Sequence, residues 1–270
     1  MDGDSRIELP TGKVLAERRD GVGWLTFNQP ERRNAISVEM WDGIAIAVNA
    51  FAADPLVRVV VMQGAGDKAF TAGADISEFE KVRADAAAQE AYRARSAAAG
   101  AAFKALDKPL IAMIRGFCMG GGMAMALRAD IRIASTDARF GIPAARLGIA
   151  YAQEALARLT ALTGPSKAKM IMFLARQYPA AEALDLGIVD LVVEPDALAP
   201  TVTAMAAEMA GNAPLSIRAS KAMIDELAVD PAQRNPERMA ALERACFDSD
   251  DYKEGRRAFM EKRRPVFVGH

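Results

Sequence analysis

Histidine is nearly absent from this chain: the only one is His270, the last of 270 residues. Ser-His-Asp and Cys-His triads, histidine general bases and histidine-ligated metals all need an imidazole held rigidly among other groups, and a chain end is a poor place to hold one. Cysteine is equally sparse. Cys118 and Cys246 stand alone without CxxC spacing, which argues against a disulfide framework or a zinc site and suits a reducing compartment. Neither sign of charge is in surplus, with 34 Lys and Arg against 35 Asp and Glu, so no overall field favours nucleic acid or an acidic membrane surface. The basic clusters Arg256-Arg257 and Lys262-Arg263-Arg264 lie in mixed-charge helical sequence and read either as a solvated face or as a specific phosphate site. No run approaches the roughly 18 apolar residues of a membrane span. The opening "MDGDSRIELP" lacks the basic-then-apolar pattern of a signal peptide. GxSxG, Walker A and GxGxxG signatures between a strand and a helix are also missing, which removes the common hydrolase, NTPase and dehydrogenase readings. The expectation is a soluble cytoplasmic protein with no nucleic-acid or membrane partner.

What the chain does carry is alternation of strand and helix over its first two thirds, the pattern of an α/β fold. "GWLTFN" (Gly23 to Asn28) reads as a strand. "SVEMWDGIAIAVNAFAAD" follows with Met40, Trp41, Ile44, Val48 and Phe51 on one helical face behind a candidate Ser37 N-cap. "VRVVVMQG", "PLIAMIRG" (Pro109 to Gly116), "ADIRIAS" (Ala129 to Ser135) and "GIVDLVV" (Gly187 to Val193) are further strands. The alanine-rich "ADAAAQEAYRARSAAAGAAFKAL" is a helix by propensity alone. From about Leu198 three helical segments follow with no strand pattern. The expected division is a core over residues 1–197 and a helical C-terminal region over 198–270.

Chemistry is expected where glycines bring backbone close to a ligand. Gly120-Gly121-Gly122 open a helix and read either as a tight, closely packed turn or as a source of unpaired amide N–H groups for an oxyanion. The loop "KAFTAGADISEF" (Lys68 to Phe79) follows another strand and offers a second amide beside Gly73. Two such donors converging on one oxygen would stabilise a thioester enolate.

Six segments in order, "FNQPERRNAIS", "AFTAGADISEF", "IRGFCMGGGMAMALRADIRIAS", "FGIPAARLG", "AEALDLGIVDLVV" and "EGRRAFMEKRRPVF", resemble the enoyl-CoA hydratase/isomerase (crotonase) superfamily over nearly the whole chain. The resemblance implies a crotonase (ClpP-like) spiral of ββα units with a helical C-terminal region used in trimerisation, assembled as a homotrimer or hexamer. It implies an acyl-CoA substrate, with coenzyme A arriving as the thioester and no permanently bound cofactor or metal. By position in the motifs, the backbone N–H groups of Ala74 and Gly121 would form the oxyanion hole, and backbone at Ala72 would lie against adenine. Phe259 and Lys262, from the last helix and a candidate contribution of a neighbouring subunit, would meet adenine and phosphate. Arg32 and Arg33 border the CoA head as phosphate contacts or as surface.

Hydratases of the family place one glutamate three residues after the middle glycine of GGG and another directly after the proline of FGxPE. Here those positions are Ala124 and Ala144. An alanine neither activates water nor donates a proton. Decarboxylation of a malonyl-type CoA needs the oxyanion hole but neither glutamate, and Tyr151 matches the tyrosine of "LGVPY" in methylmalonyl-CoA decarboxylase-like members. Those members carry histidine where this chain has Ala74. Tyr151 could orient a substrate carboxylate, ferry a proton through water, or pack in the core or at a subunit contact, and Arg146 could pair with that carboxylate or make a structural ion pair. Glu154 could supply a relocated acid for hydration or isomerisation, or simply sit in a helix's first turn. Asp75 is expected to brace its loop. A catalytically silent acyl-CoA binder is the alternative outside enzymes.

Overall fold

A computed structural model describes residues 4–75 and 86–270, with backbone alone at 86–89 and 91–93. Its larger sheet has seven strands in the order β1-β2-β3-β4-β6-β8-β11: β1 (Ser5–Ile7), β2 (Val14–Arg19), β3 (Val22–Phe27), β4 (Val59–Gly64), β6 (Leu110–Ile114), β8 (Ile131–Ser135) and β11 (Leu191–Val193). The first three pair antiparallel, and β3 onward pair parallel. A smaller sheet runs β10-β9-β7-β5, from β5 (Ala69–Thr71), β7 (Phe117–Met119), β9 (Arg139–Gly141) and β10 (Gln177–Pro179).

The apolar runs explain why the larger sheet is interior. Along β4, Val59, Val60, Val61 and Met62 are all fully buried, as a parallel strand covered on both faces requires. Side chains alternate between the two layers. Val60 and Met62 join Leu25, Phe27, Leu110 and Ala112 in the main core. Val59 and Val61 join Trp24, Ile111 and Ile133 on the opposite face. Helix α1 (Val38–Ala53) seals the main core with Met40, Ile44, Val48 and Phe51, and Ser37 stands at its N-cap. Trp41 is only partly buried, at the edge of that core.

From β4 to β9 the chain alternates between the sheets: even-numbered strands join the larger and odd-numbered strands the smaller. Helices follow each small-sheet strand, with α2 (Ala86–Ala105) after β5, α3 (Gly121–Ala126) after β7 and the short α4 (Ala144–Leu147) after β9. This repeat is the expected spiral of ββα units. Equivalent loops therefore stack beside one another.

Helices α5 (Gln153–Leu174), broken at Gly164, and α6 (Ala180–Leu186) lead to β11. The strand expected from Gly187 to Val193 shortens to Leu191–Val193. Gly187, at φ 81°, caps α6 in the left-handed region, and Ile188 and Val189 drop into the main core instead of extending a strand. Four helices close the chain rather than three segments: α7 (Pro195–Ala210), α8 (Pro214–Leu227), α9 (Pro236–Phe247) and α10 (Asp250–Glu261). Proline opens the first three, where its missing N–H costs no helical bond. The 197/198 division falls inside α7, whose Leu198, Val202 and Ala206 lie on the larger sheet. The tail folds back on α10, with Val268 and Gly269 N–H groups donating to the buried Asp251 carboxylate at 2.7 and 3.0 Å.

Candidate active site

Strands β5, β7 and β9 are parallel neighbours with Thr71 opposite Cys118, and Cys118 and Met119 opposite Phe140 and Gly141. Their C-terminal ends thus deliver Ala72–Asp75, Gly120–Gly122 and Ile142–Ala144 side by side. Two of these loops touch closely enough to need glycine. A methyl built on Gly73 would stand 2.8 Å from the Met119 carbonyl oxygen and 3.0 Å from the Gly121 nitrogen. One built on Gly121 would stand 3.2 Å from the Ala74 nitrogen. Among the described residues, neither the Ala74 nor the Gly121 N–H has a hydrogen-bond acceptor. The two donors predicted from sequence are therefore adjacent and unused.

The loop from Gln29 to Ile36 holds this arrangement from one side. Ala72 N–H donates to the Arg33 carbonyl at 2.9 Å, Ile36 N–H to Gly73 at 2.7 Å and Asp75 N–H to Ile36 at 3.0 Å. Asn34, fully buried in the left-handed region at φ 54°, ties the loop together: its amide donates to the Ala65 and Ala69 carbonyls at 2.9 and 2.7 Å, and its oxygen accepts from Gln29 N–H at 3.0 Å. Thr71 Oγ1 accepts from Gly73 N–H at 3.1 Å. Sequence reasoning missed both side chains. Asn34 lies inside a quoted motif, and asparagine's tolerance of positive φ was the available signal.

Asp75 braces the loop as expected, in an ion pair with Arg32 at 2.9 Å while itself buried. Arg33 lays its guanidinium 4.9 Å over the Phe117 ring, a cation–π contact. Ala124 is half-buried in the first turn of α3, and Ala144, 4 % exposed, begins α4. Glu154 is in the first turn of α5, where its carboxylate accepts from both terminal nitrogens of the Arg128 guanidinium at 3.1 and 3.0 Å. Arg146 is exposed on α4. Tyr151 packs against the main core, and its hydroxyl donates to the Gly120 carbonyl at 2.8 Å, a partner the sequence reading did not consider. Burial pushes this phenol above the ordinary tyrosine range.

Phe259 and Lys262 stand at the end of α10, with Phe259 82 % exposed. Among the described residues, no hydrogen bond or ring contact joins them to the Ala72–Ala74 loop. Among the described residues, no cluster of three or more His, Cys, Asp or Glu side chains could hold a metal ion, and no helix is long and apolar enough to cross a membrane. The chemistry open to this set is stabilisation of an oxyanion by two amides, with the Asp75 carboxylate paired to Arg32 and the Glu154 carboxylate to Arg128.

Comparison with known proteins places the same residues in a wider set. The family model "Enoyl-CoA hydratase/isomerase" matches residues 17–270. The chain is 34% identical over 259 residues to the crotonyl-CoA hydratase of Syntrophomonas wolfei, covering 94% of this chain and 97% of the relative. It is 34% identical over 260 residues to the short-chain-enoyl-CoA hydratase of Clostridium acetobutylicum, covering 95% and 97%. Its fold is similar to the crystal structure of an enoyl-CoA hydratase/carnithine racemase from Magnetospirillum magneticum, with a TM-score of 0.92, 36% identity and coverage of 96% and 97%.

Proposed function

The chain belongs to the enoyl-CoA hydratase/isomerase family, and from that premise we propose that it decarboxylates a malonyl-type acyl-CoA thioester. The bond from Cα to the carboxylate breaks and carbon dioxide leaves. Its electron pair moves into the thioester, whose oxygen takes the charge between the Ala74 and Gly121 amides, and Cα is protonated afterwards from water. The observation that carries this reading is the pairing of two free amides with alanine at 124 and 144. A carboxylate at either position would repel the substrate's own by roughly 4 kcal/mol at about 4 Å and an effective dielectric near 20. Arg146, exposed on α4, is the candidate cation for the substrate carboxylate. Hydration is the second reading, favoured by the names of the relatives; it would need Glu154 to leave Arg128, or another acid in its place. Purified protein is expected to release carbon dioxide from malonyl-CoA or methylmalonyl-CoA faster than it hydrates crotonyl-CoA. The reverse order would overturn the decarboxylase reading.

The CoA moiety is proposed to lie along Ala72, with Arg32 and Arg33 bordering its head. Phe259 and Lys262 would reach the site of a neighbouring copy, because among the described residues no hydrogen bond or ring contact joins them to the Ala72–Ala74 loop of their own chain. Exposed Phe173, Phe259 and Met260 supply apolar surface for such an assembly. Light scattering on micromolar protein is expected to give a trimer or a hexamer; a monomer would count against this part of the proposal.

A further inference from the structure

The Gly121 N–H can serve as a donor only if its amide is held in one orientation, and the residue best placed to hold it is Tyr151. The Gly120 carbonyl that accepts the Tyr151 proton at 2.8 Å belongs to the same planar amide as the Gly121 N–H. Fixing one end therefore fixes the other. The Ala124 N–H reaches the same oxygen at 3.1 Å, and the Gly120 N–H donates to Gly141 at 2.8 Å.

An amide between two glycines is the easiest in a chain to rotate, because neither neighbour has a Cβ to oppose it. Gly120 lies at φ 50° and ψ −114°, a conformation that suits glycine. Rotation of the amide would withdraw the N–H from the space beside Ala74 and turn a carbonyl oxygen toward it. An acceptor would then face a developing negative charge.

We propose that Tyr151 is a positioning residue that locks and polarises the Gly120–Gly121 amide through its carbonyl, holding the Gly121 N–H at the thioester oxygen. The inference rests on the reading of Ala74 and Gly121 as the oxyanion donors. Two hydrogen bonds into one carbonyl draw electron density to its oxygen and leave the N–H a stronger donor. The ring packs on the main core, so the hydroxyl is already ordered before substrate arrives. Because burial raises the phenol's pKa, it remains a protonated donor through neutral pH. A substrate carboxylate would have to take that proton from Gly120.

The test uses acetyl-CoA labelled with carbon-13 at the thioester carbonyl, bound to the full-length protein and read by infrared difference spectroscopy. Donors at the oxygen lower the carbonyl stretching frequency. Tyr151→Phe keeps the ring in the core and is expected to show a smaller downshift than wild type, with acetyl-CoA affinity within about twofold. On a turned-over malonyl-type substrate, kcat should fall about five- to tenfold at unchanged KM, the effect of one neutral hydrogen bond. A wild-type downshift in Tyr151→Phe, with the shift lost in Gly121→Ala, overturns the role of Tyr151 and leaves the donors standing. An unchanged downshift in both variants overturns the donor reading itself. A raised KM confined to the carboxylated substrate, with the carbonyl shift intact, would put the phenol on the substrate and also overturn the proposal.

Discussion

Crotonyl-CoA is expected to be hydrated by this protein several decades more slowly than by an enzyme with a carboxylate at each of the two alanine positions. Adding water across the double bond needs a base to activate the water and an acid to protonate Cα. Each such group contributes about 10² to 10⁴-fold, and Ala124 and Ala144 can play neither part. The proposed oxyanion donors, the Ala74 and Gly121 amides, stay in place, so a residual rate is expected rather than none. The measurement is the loss of conjugated enoyl-thioester absorbance in wild type and in Glu154→Gln. Slow hydration, equal in the two proteins, is the expected pair of results. Fast hydration that collapses in Glu154→Gln would mean that this carboxylate leaves Arg128 and works in the site. Fast hydration in both would mean that other groups handle the protons.

Much of the fold is legible in local periodicity. The continuous apolar run of β4 and the 3.6-residue spacing of Met40, Ile44, Val48 and Phe51 each report which faces are covered, because burial of one segment leaves its mark in that segment alone. The signal for the hairpin joining β2 to β3 is equally local. Asp20 and Gly21, at φ 49° and 76°, form the tight Asp-Gly turn that suits the twist of two antiparallel strands. The start of "GIVDLVV" differs from the expected strand for another reason: its apolar residues fit a strand or a plugged helix cap, and Gly187 in the left-handed region decides for the cap.

The site divides along the same line. Its glycines were readable because a missing side chain next to a strand end signals close backbone approach, and Gly73 and Gly121 meet where the two loops touch. The partners of the polar side chains were not readable, since they lie far apart in sequence. Arg128 meets Glu154 across 26 residues, Gly120 meets Tyr151 across 31, and Arg32 meets Asp75 across 43. The stacking of β7 and β9 brings the first two pairs together, and the hydrogen bonds between the Gln29–Ile36 loop and Ala72–Asp75 bring the third. Tyr151 illustrates the consequence: its match to "LGVPY" leaves a role at the substrate carboxylate and packing in the core both open, and the fold packs the ring on the core and gives the hydroxyl a backbone acceptor.

Gly121→Ala should abolish most turnover of any acyl-CoA the protein processes while leaving the fold and the CoA contacts intact. Gly121 is the first residue of α3, where alanine is a better helix former than glycine, and its φ is not among the positive values of the chain. The added methyl would stand 3.2 Å from the Ala74 nitrogen, close to the distance at which an accepting oxygen would bond to that amide. It would therefore crowd the place proposed for the thioester oxygen and separate it from both donors. Removing one oxyanion donor typically costs about 10² to 10³ in kcat, so a loss of at least that size is expected. Circular dichroism and acetyl-CoA calorimetry on the same sample distinguish the cause. Unchanged ellipticity, retained binding and a collapsed kcat would locate the defect at the two amides. A kcat within about threefold of wild type, with the fold retained, is too small a change for the loss of a donor, and it would remove Ala74 and Gly121 from the reaction.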